Sequence, residues 1–330
     1  GFVVMGPQLT FTAEDNVITN APTGYNAGNG MQLSYGATGS TARNDVSGVA
    51  YEGEDWSATG ILLFESGDVD MVDDVVHDCQ TGISFSDWHW RYTNTAPVNV
   101  SVTGLEVYSN VYGFVAHLAE DDCDLNLTAE NCSFHDNAYV GFELWGSDID
   151  PWGGGYYTGW NNGDVSLAFV GCAFLNTTDY DGLVTVDDSG NTNNVDYDIT
   201  STSFAGNTEA AIWNELTQAL VAENCYWGDP AGPTIIRGAT ESRPGAVSAS
   251  PFGFELPERG HVDSQYTAAT RAGDGIYGPV DYEPFLTGNI VCVPDPEELT
   301  AAEPTKTIEV KYLGGGSAPL YGYSINFSWD

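Results

Sequence analysis

Basic residues are scarce in this 330-residue chain. It has 8 Lys and Arg residues against 47 Asp and Glu residues, which gives a formal net charge of −39 at pH 7. Lysine occurs only at Lys306 and Lys311. A surface with this charge repels nucleic acids and anionic membranes, so neither is expected as a direct partner. It is compatible with a saline setting, where salt screens self-repulsion, or with a surface that binds divalent cations.

Long apolar runs and helical periodicity are also lacking. No run of 18 apolar residues occurs, so the sequence predicts no membrane insertion. The chain begins at Gly1 without a basic segment, which we interpret as a mature, processed and soluble product. Apolar residues still make up 42% of the chain and aromatic residues 12%, enough to build a core. The composition therefore indicates a folded acidic protein and not a disordered acidic tail.

The sequence does contain a repeat of two short apolar alternations, separated by a turn with Asn and a following Gly. Copies run from 98 to 116 and from 125 to 144, and others occupy 9–33, 69–85, 165–184 and 197–213. Alternation with a period of two is typical of strands, and short strand units bury their apolar face only by stacking on one another. We therefore predict an all-β solenoid of roughly eight coils over residues 9–233.

The middle of each unit repeats as well. Equivalent side chains in stacked parallel coils lie about 4.8 Å apart, so a recurring residue type predicts a ladder. The predicted interior Cys/Phe ladder contains Cys132, Phe134, Cys172, Phe174, Thr202, Phe204, Cys225 and Trp227, and the predicted turn ladder contains Asn110, Asn137, Asn176, Asn207 and Asp229. Cys132 and Cys172 occupy neighbouring coils, where they either form a disulfide or remain buried thiols.

The repeat closes with residues 224–233, which include the segment Trp227-Gly228-Asp229-Pro230-Ala231-Gly232-Pro233. With this ending it resembles the right-handed parallel β-helix proteins of the pectate-lyase-like superfamily, in which a Trp-Gly-x-Pro-x-Gly-Pro segment often marks the last coils. The resemblance implies a right-handed parallel β-helix. It implies no single activity, because that superfamily includes lyases, hydrolases, epimerases and non-catalytic surface proteins.

Composition divides the chain into three segments. Residues 1–233 are the predicted β-helix, 234–304 an irregular cap or wrapping tail rich in Pro, Gly and acidic residues, and 305–330 a terminal pair of strands. The alternation at 307–312 and 320–330 resembles the opening strands of a cohesin-like sandwich domain. These strands either belong to such a domain or are given to a neighbouring copy, which would produce a polymer.

The second strand of each unit locates a candidate site. Its outward positions in the middle coils include Ser86, His117, Glu143 and Trp145, and the loops 87–92 and 148–163 should rise beside them as the walls of a groove. The groove aromatics expected to contact a polysaccharide are Trp88, Trp90, Trp145, Trp152, Tyr156, Tyr157 and Trp160. The alternative is that these aromatic residues fold back and cover the strands.

Catalysis at this groove would require a proton donor, a proton acceptor and a group that neutralises negative charge. The candidates are His117, Glu143 and Arg91. The sequence lacks the Asn-Thr-Asp and Gly-His-Gly motifs of polygalacturonases, the Asp-Pro-His of alginate epimerases and the Arg-x-Pro-x-x-Arg of pectate lyases. We therefore favour an extracellular or cell-surface matrix protein with a structural or glycan-binding role, whose partners are polysaccharides, other surface proteins or its own copies. The alternative is a polysaccharide lyase or glycoside hydrolase.

Aspartates recur where several coils begin. Carboxylates stacked one coil apart repel each other unless a cation lies between them, and Ca²⁺ accepts oxygen ligands in flexible geometry. The predicted calcium ligands are Asp68, Asp70, Asp122, Asp124, Asp164, Asp196 and Asp198. The alternative is that these aspartates cap turn amides. The sequence predicts no organic cofactor.

Overall fold

The computed structural model describes residues 1–20, 28–51, 58–87, 94, 97–118, 124–146, 164–187, 195–214, 219–236, 273–278, 280–282 and 286, with the backbone alone at 145–146 and 185–187. These residues form 26 strands in three parallel sheets, so the predicted all-β class is confirmed. Across this part of the chain there is no helix with the length and apolar character that a membrane span requires.

Sheets A and B run the length of the described stack and sheet C runs through its first seven coils, with the strands numbered along the chain. Sheet A contains, in spatial order, β1 (Phe2–Met5), β4 (Met31–Ser34), β7 (Thr59–Phe64), β10 (Thr81–Asp87), β13 (Tyr112–Leu118), β16 (Val140–Gly146), β19 (Asp181–Asp187), β22 (Ile212–Asn214), β25 (Gly275–Tyr277) and β24 (Thr234–Ile235). Sheet B contains β2 (Thr10–Glu14), β5 (Thr38–Ala42), β8 (Val69–Val72), β11 (Val98–Thr103), β14 (Leu125–Glu130), β17 (Val165–Val170), β20 (Val195–Thr200), β23 (Leu220–Val221) and β26 (Val280–Asp281). Sheet C contains β3 (Val17–Thr19), β6 (Asp45–Ser47), β9 (Val75–His77), β12 (Glu106–Tyr108), β15 (Ser133–His135), β18 (Ala173–Leu175) and β21 (Ser203–Ala205).

Each coil contributes one strand to every sheet, and each strand pairs in parallel with its equivalent in the next coil. In sheet A, for example, Ile83 pairs with Phe114, which pairs with Phe142. The described residues contain seven complete three-strand coils, from β1–β3 to β19–β21, and shorter strands continue the stack. Inward side chains from all three sheets meet in one buried core that runs along the axis.

A glycine column explains why Gly recurs as the second residue of strands in sheet A. At Gly60, Gly82, Gly113 and Gly141, an added Cβ would lie 2.3 to 2.7 Å from the backbone oxygen of the next coil's glycine. Cβ atoms do not approach backbone oxygens this closely, so the stacking distance at this corner requires glycine. The repeated Gly therefore marks a close approach between coils.

The predicted interior aromatic ladder is present. Phe134, Phe174, Phe204 and Trp227 are fully buried and stack in succession, with ring centroids 4.9, 5.3 and 4.9 Å apart and planes within 11° of parallel. Aromatic pairs of this kind contribute about 0.5–1.5 kcal/mol beyond the burial of their area.

The described cysteines, Cys79, Cys132, Cys172 and Cys225, are buried free thiols. The Cys172 thiol donates to the Ala129 carbonyl oxygen at 3.4 Å, and the Cys132 thiol donates to the Glu130 carbonyl oxygen at 3.3 Å. The interaction between the two thiols lowers the pKa of Cys132 and raises the pKa of Cys172. Of the two alternatives that the sequence left open, the structure has the thiol ladder. Thr202 continues the column, and its hydroxyl lies 3.2 Å from the Phe169 carbonyl oxygen, to which it donates.

Two columns of left-handed residues turn each coil. The residues between sheets B and C with positive φ are Asp15, Arg43, Asp73, Gly104, Asn131, Gly171, Ser201 and Asn224, and those between sheets C and A are Gly48, Asp78, Ser109, Asp136, Asn176, Gly206 and Gly228. Asn, Asp and Gly tolerate this conformation best, and they fill most of both columns. The spacing of these three residue types in the sequence therefore encodes the two short turns.

A buried Asn ladder lies beside the second column, but two predicted members are placed elsewhere. The Nδ2 and backbone N–H of Asn110 both donate to Asn137 Oδ1 at 3.1 Å. Asn176 belongs to the left-handed column, and Thr177 takes its ladder position by donating its N–H to Asn207 Oδ1 at 3.2 Å. Asp229 also lies outside the ladder, where Asp274 takes the position after Asn207.

Asp274 belongs to a return of the chain that continues the stack beyond the predicted boundary at residue 233. Its carboxylate accepts hydrogen bonds from the N–H and Nδ2 of Asn207 at 2.9 and 2.8 Å. The following strand, β25, is inserted between β22 and β24, while β26 pairs with β23 and Leu286 bridges to Tyr226. Segments within 234–304, predicted as irregular, thus form a further coil. The predicted strands at 305–330 lie outside the described residues.

A second polar ladder, between sheets B and C, ends at the buried Asp74. Its carboxylate accepts hydrogen bonds from the Thr41 hydroxyl and from the N–H and Nδ2 of Asn44, the latter two at 2.8 Å. Asn44 Oδ1 in turn accepts from the N–H and Nδ2 of Asn16. Burial raises the pKa of Asp74 despite these three donors.

Because the pKa of Asp74 is raised, we predict that Asp74→Asn increases the free energy of unfolding relative to the wild type as pH rises. The folded protein binds the Asp74 proton more tightly than the unfolded chain, so this group's contribution to stability falls as pH rises from its unfolded pKa through its folded pKa. Asparagine cannot ionise and can extend the ladder. We expect the free energy of unfolding of the variant to gain on that of the wild type as pH rises from about 4 to 7. Urea denaturation across this range measures the difference, and a gap that does not change with pH would contradict the prediction.

The aromatic ladder gives a second stability prediction. Phe174→Ala removes a ring packed between Phe134 and Phe204, and its cavity is closed off by neighbouring coils. We expect a loss of about 3–5 kcal/mol in the free energy of unfolding. Val170→Ala, on the outer face of sheet B and 37% exposed, is the matched control and should change stability by less than about 0.5 kcal/mol. Similar losses for the two variants would show that the aromatic ladder does not stabilise the folded protein more than an exposed side chain does.

Candidate functional site

The outward face of sheet A brings the predicted site residues together. Ser86 pairs with His117 and His117 with Trp145, while Val115 pairs with Glu143. The imidazole and the carboxyl group therefore project from the same face of neighbouring strands, as the alternation predicts. Parallel pairing places equivalent residues about 4.8 Å apart, so the two columns form a regular array.

This face is not an open groove floor at these positions. Ser86 and Glu143 are fully buried and His117 is 1% exposed. Burial lowers the pKa of His117 to about 3, so its imidazole is neutral at pH 7. A general base or acid must reach its substrate and exchange protons near the working pH. The predicted role of His117 as an accessible groove floor is therefore corrected to that of a buried, neutral side chain.

Apolar packing continues along the same face. Outside the coil, Val115, Val140, Val184 and Trp213 form a second buried cluster with Tyr112 and Ala210, and Leu62 with Phe64 forms a third. Trp213 stacks on Tyr277 at a centroid distance of 3.9 Å. Both faces of sheet A are thus buried over much of its length. The apolar residues at outward positions were the signal in the sequence that this face is covered.

Several predicted site residues lie outside the described residues. They are Trp88, Trp90, Arg91, Asp122, Trp152, Tyr156, Tyr157 and Trp160. Trp145 is described by its backbone alone, within β16. The predicted polysaccharide contacts of these aromatic residues, and the role of Arg91, stay predictions.

The register of sheet B separates most of the predicted calcium ligands. Asp124 and Asp164 are neighbours, and the Asp164 N–H donates to Asp124 Oδ1 at 2.8 Å. Asp68 instead faces Asn99, whose N–H and Nδ2 donate to its Oδ1 at 2.8 and 3.0 Å. Three coils lie between Asp68 and Asp196, and equally between Asp70 and Asp198, because Asn, Ser, Thr and Ala occupy the intervening positions.

The expected stack of carboxylates is therefore wrong for Asp68, Asp70, Asp196 and Asp198, which do not lie in neighbouring coils. Among the described ranges, no group of three or more His, Cys, Asp and Glu side chains is placed to hold a metal ion. The contacts of Asp68 and Asp124 match the alternative, in which aspartates cap turn amides. Calcium binding by the chain stays a prediction.

The structure contains a cleft that the sequence did not predict. It lies at the corner between sheets C and A, has a volume of about 570 Å³, and is lined by Tyr51, Asp78, Ser109, Tyr112 and Tyr139 with Ala50, Cys79, Gln80 and Val111. The available signal was the recurrence of Tyr at or just before the start of strands in sheet A, at Tyr112, Tyr139 and Tyr180.

The lowered pKa of His117 has a measurable consequence. The unfolded imidazole takes up a proton near pH 6.5, whereas the folded one does so near pH 3, so stability falls as pH decreases through this window. Relative to His117→Phe, we expect the wild type to lose about 1.4 kcal/mol of unfolding free energy per pH unit within it. Chemical denaturation at several pH values gives both slopes. Equal slopes would mean that the pKa of His117 is not lowered by folding.

Residues 3–152 match the family model described as a right handed beta helix region. Neither the curated proteins nor the solved structures contain a match to this chain. The family match and the three parallel sheets show a right-handed parallel β-helix fold, which is consistent with the pectate-lyase-like superfamily.

Proposed function

We propose that this β-helix is an extracellular structural component of a cell surface or matrix. The observation that carries the proposal is the burial of His117 and Glu143 on the outward face of sheet A. An enzyme of this architecture would need such a pair to be accessible to a polymeric substrate. A stack with a packed interior and one packed outer face is instead suited to a load-bearing role, in which its other faces contact partners.

The outer face of sheet B supports a surface role in a cation-rich medium. Its outward positions carry short polar and acidic side chains, including the exposed Asp68, Asp70, Asp196 and Asp198. Together with the net charge of −39, this face would bind counterions and remain hydrated at high salt. Divalent cations that bridge such surfaces are the partners we propose for it.

Self-assembly is proposed from the open end of the stack. β1, β2 and β3 each pair with the following coil only, so their other edges are unpaired by the described residues. Val3, Met5, Leu9 and Val17, four of the eight large hydrophobic residues exposed in the described structure, lie in this first coil. Open strand edges with apolar side chains are templates for pairing with another chain. A neighbouring copy is the partner we propose, and its terminal strands at 305–330 are the proposed coupling device.

We also propose that the chain contacts glycans. This rests on the aromatic content of loops 87–92 and 148–163, since aromatic faces stack on sugar rings. The alternative function, a polysaccharide lyase or glycoside hydrolase, is favoured by one observation: His117 and Glu143 project from the same face of neighbouring strands. Release of unsaturated or reducing ends from a panel of acidic and neutral polysaccharides, lost in His117→Gln, would favour that alternative.

The proposed assembly predicts a position-specific effect of a charge. Val17→Lys places a charge on the open edge of sheet C, where Val17 is 76% exposed, and should reduce assembly at least about tenfold. Val72→Lys makes the same change at a 39% exposed position on sheet B and should leave assembly unchanged. Sedimentation velocity, with electron microscopy of the wild type in calcium or chelator at low and high salt, measures both. Dispersed monomers of the wild type under every condition would exclude self-assembly.

A further inference from the structure

The corner cleft between sheets C and A, here called the tyrosine cleft, is lined by aromatic side chains from separate coils. Tyr112 is 6% exposed, and Tyr139 and Tyr51 are half-buried. The rings of Tyr112 and Tyr139 lie 5.1 Å apart at an angle of 42°, and Tyr180 continues the row 5.2 Å beyond Tyr139. Only the first two of these three rings line the cleft.

The polar groups of the tyrosine cleft are acidic or neutral. Asp78 contributes a carboxylate that is 63% exposed, and its Oδ2 accepts a hydrogen bond from His77 Nδ1 at 2.7 Å. Ser109 follows Asp78 one coil later in the left-handed column, and Asp136 comes one coil after that. Gln80 Oε1 accepts from the N–H groups of Tyr51 and Ala58, which ties the segment containing Tyr51 to the corner.

Among the described residues that line this cleft, none is Lys or Arg. Arg43, the single Arg among the described residues, is bound to Glu14 and Asp15 at another corner. Within the described ranges, His77 is the basic side chain in contact with Asp78, and its Nε2 also faces Asp45 Oδ1 at 3.2 Å. The surroundings are therefore electronegative, and the chain's net charge of −39 adds to this.

We propose that the tyrosine cleft binds an organic cation with an alkylated ammonium group. Tyrosine faces carry a negative quadrupole that attracts such cations within about 6 Å of the ring centroid, and the Asp78 carboxylate supplies an opposite charge. The alkyl groups would pack against Tyr139, Tyr112 and Val111. This site is separate from the proposed structural role and does not depend on it.

A neutral sugar is the competing occupant, because aromatic rings also stack on sugar faces. The carboxylate of Asp78 favours the cation, because it is 63% exposed and carries the charge opposite to that of an ammonium group. A sugar hydroxyl can also donate to this carboxylate, but asparagine in its place keeps an acceptor oxygen for the hydroxyl, whereas an ammonium group loses the opposite charge.

The test uses tetramethylammonium chloride as the probe and the full chain as the protein. Binding is followed by the broadening of the ligand methyl resonance at constant ionic strength, with sodium chloride replaced by the probe. We expect saturable binding that weakens about tenfold in Tyr139→Ala and is retained in Tyr139→Phe, which keeps the ring face. Asp78→Asn should weaken binding about fivefold.

Tyr180→Ala is the matched control, because Tyr180 belongs to the same row but does not line the cleft, and it should change affinity less than about twofold. Thermal unfolding of every variant separates loss of binding from loss of fold. Absence of saturable binding to the wild type would overturn the proposal. So would equal effects of Tyr139→Ala and Tyr180→Ala, or displacement of the probe by glucose but not by choline. None of these outcomes bears on self-assembly, which is measured separately.

Discussion

In-register parallel pairing of one coil on the next is the constraint from which the remaining features follow. Every side chain meets its equivalent about 4.8 Å along the axis, so each position is repeated as a column. Columns of like residues are stable only if self-contact is favourable. Phe stacks on Phe, Asn donates to the Asn of the next coil, and Gly allows backbones to approach.

In the two Asn ladders, the same constraint places a carboxylate where the ladder ends. A column of carboxylates would repel itself, whereas one Asp can accept hydrogen bonds from the Asn before it. Asp74 and Asp274 both occupy such ends, and burial raises the pKa of each. On the outer face of sheet B the aspartates are instead spaced by Asn, Ser, Thr and Ala, which reduces repulsion while the surface remains strongly acidic.

The ends of a β-helix expose strand edges that must be paired or covered. At the later end, the chain runs past β24 and then inserts β25 beneath it, so Asp274 and Ile276 complete the ladder and the core. At the first coil, three strand edges remain unpaired by the described residues. A head-to-tail contact between copies would be heterologous, and it would give open filaments or closed rings.

The sequence by itself determined the all-β class, the parallel stacking and most ladders, because short-range alternation and residue type at a fixed spacing are local properties. It predicted that His117 and Glu143 share a face, since alternation along a strand fixes direction. Tertiary structure decided that this face is buried, because covering a strand requires residues distant in sequence. It also decided that Thr177 and Asp274 replace Asn176 and Asp229 in the Asn ladder, since a one-residue shift in a turn or a long return of the chain leaves no local signal. The tyrosine cleft likewise exists only because three coils bring separate tyrosines to one corner.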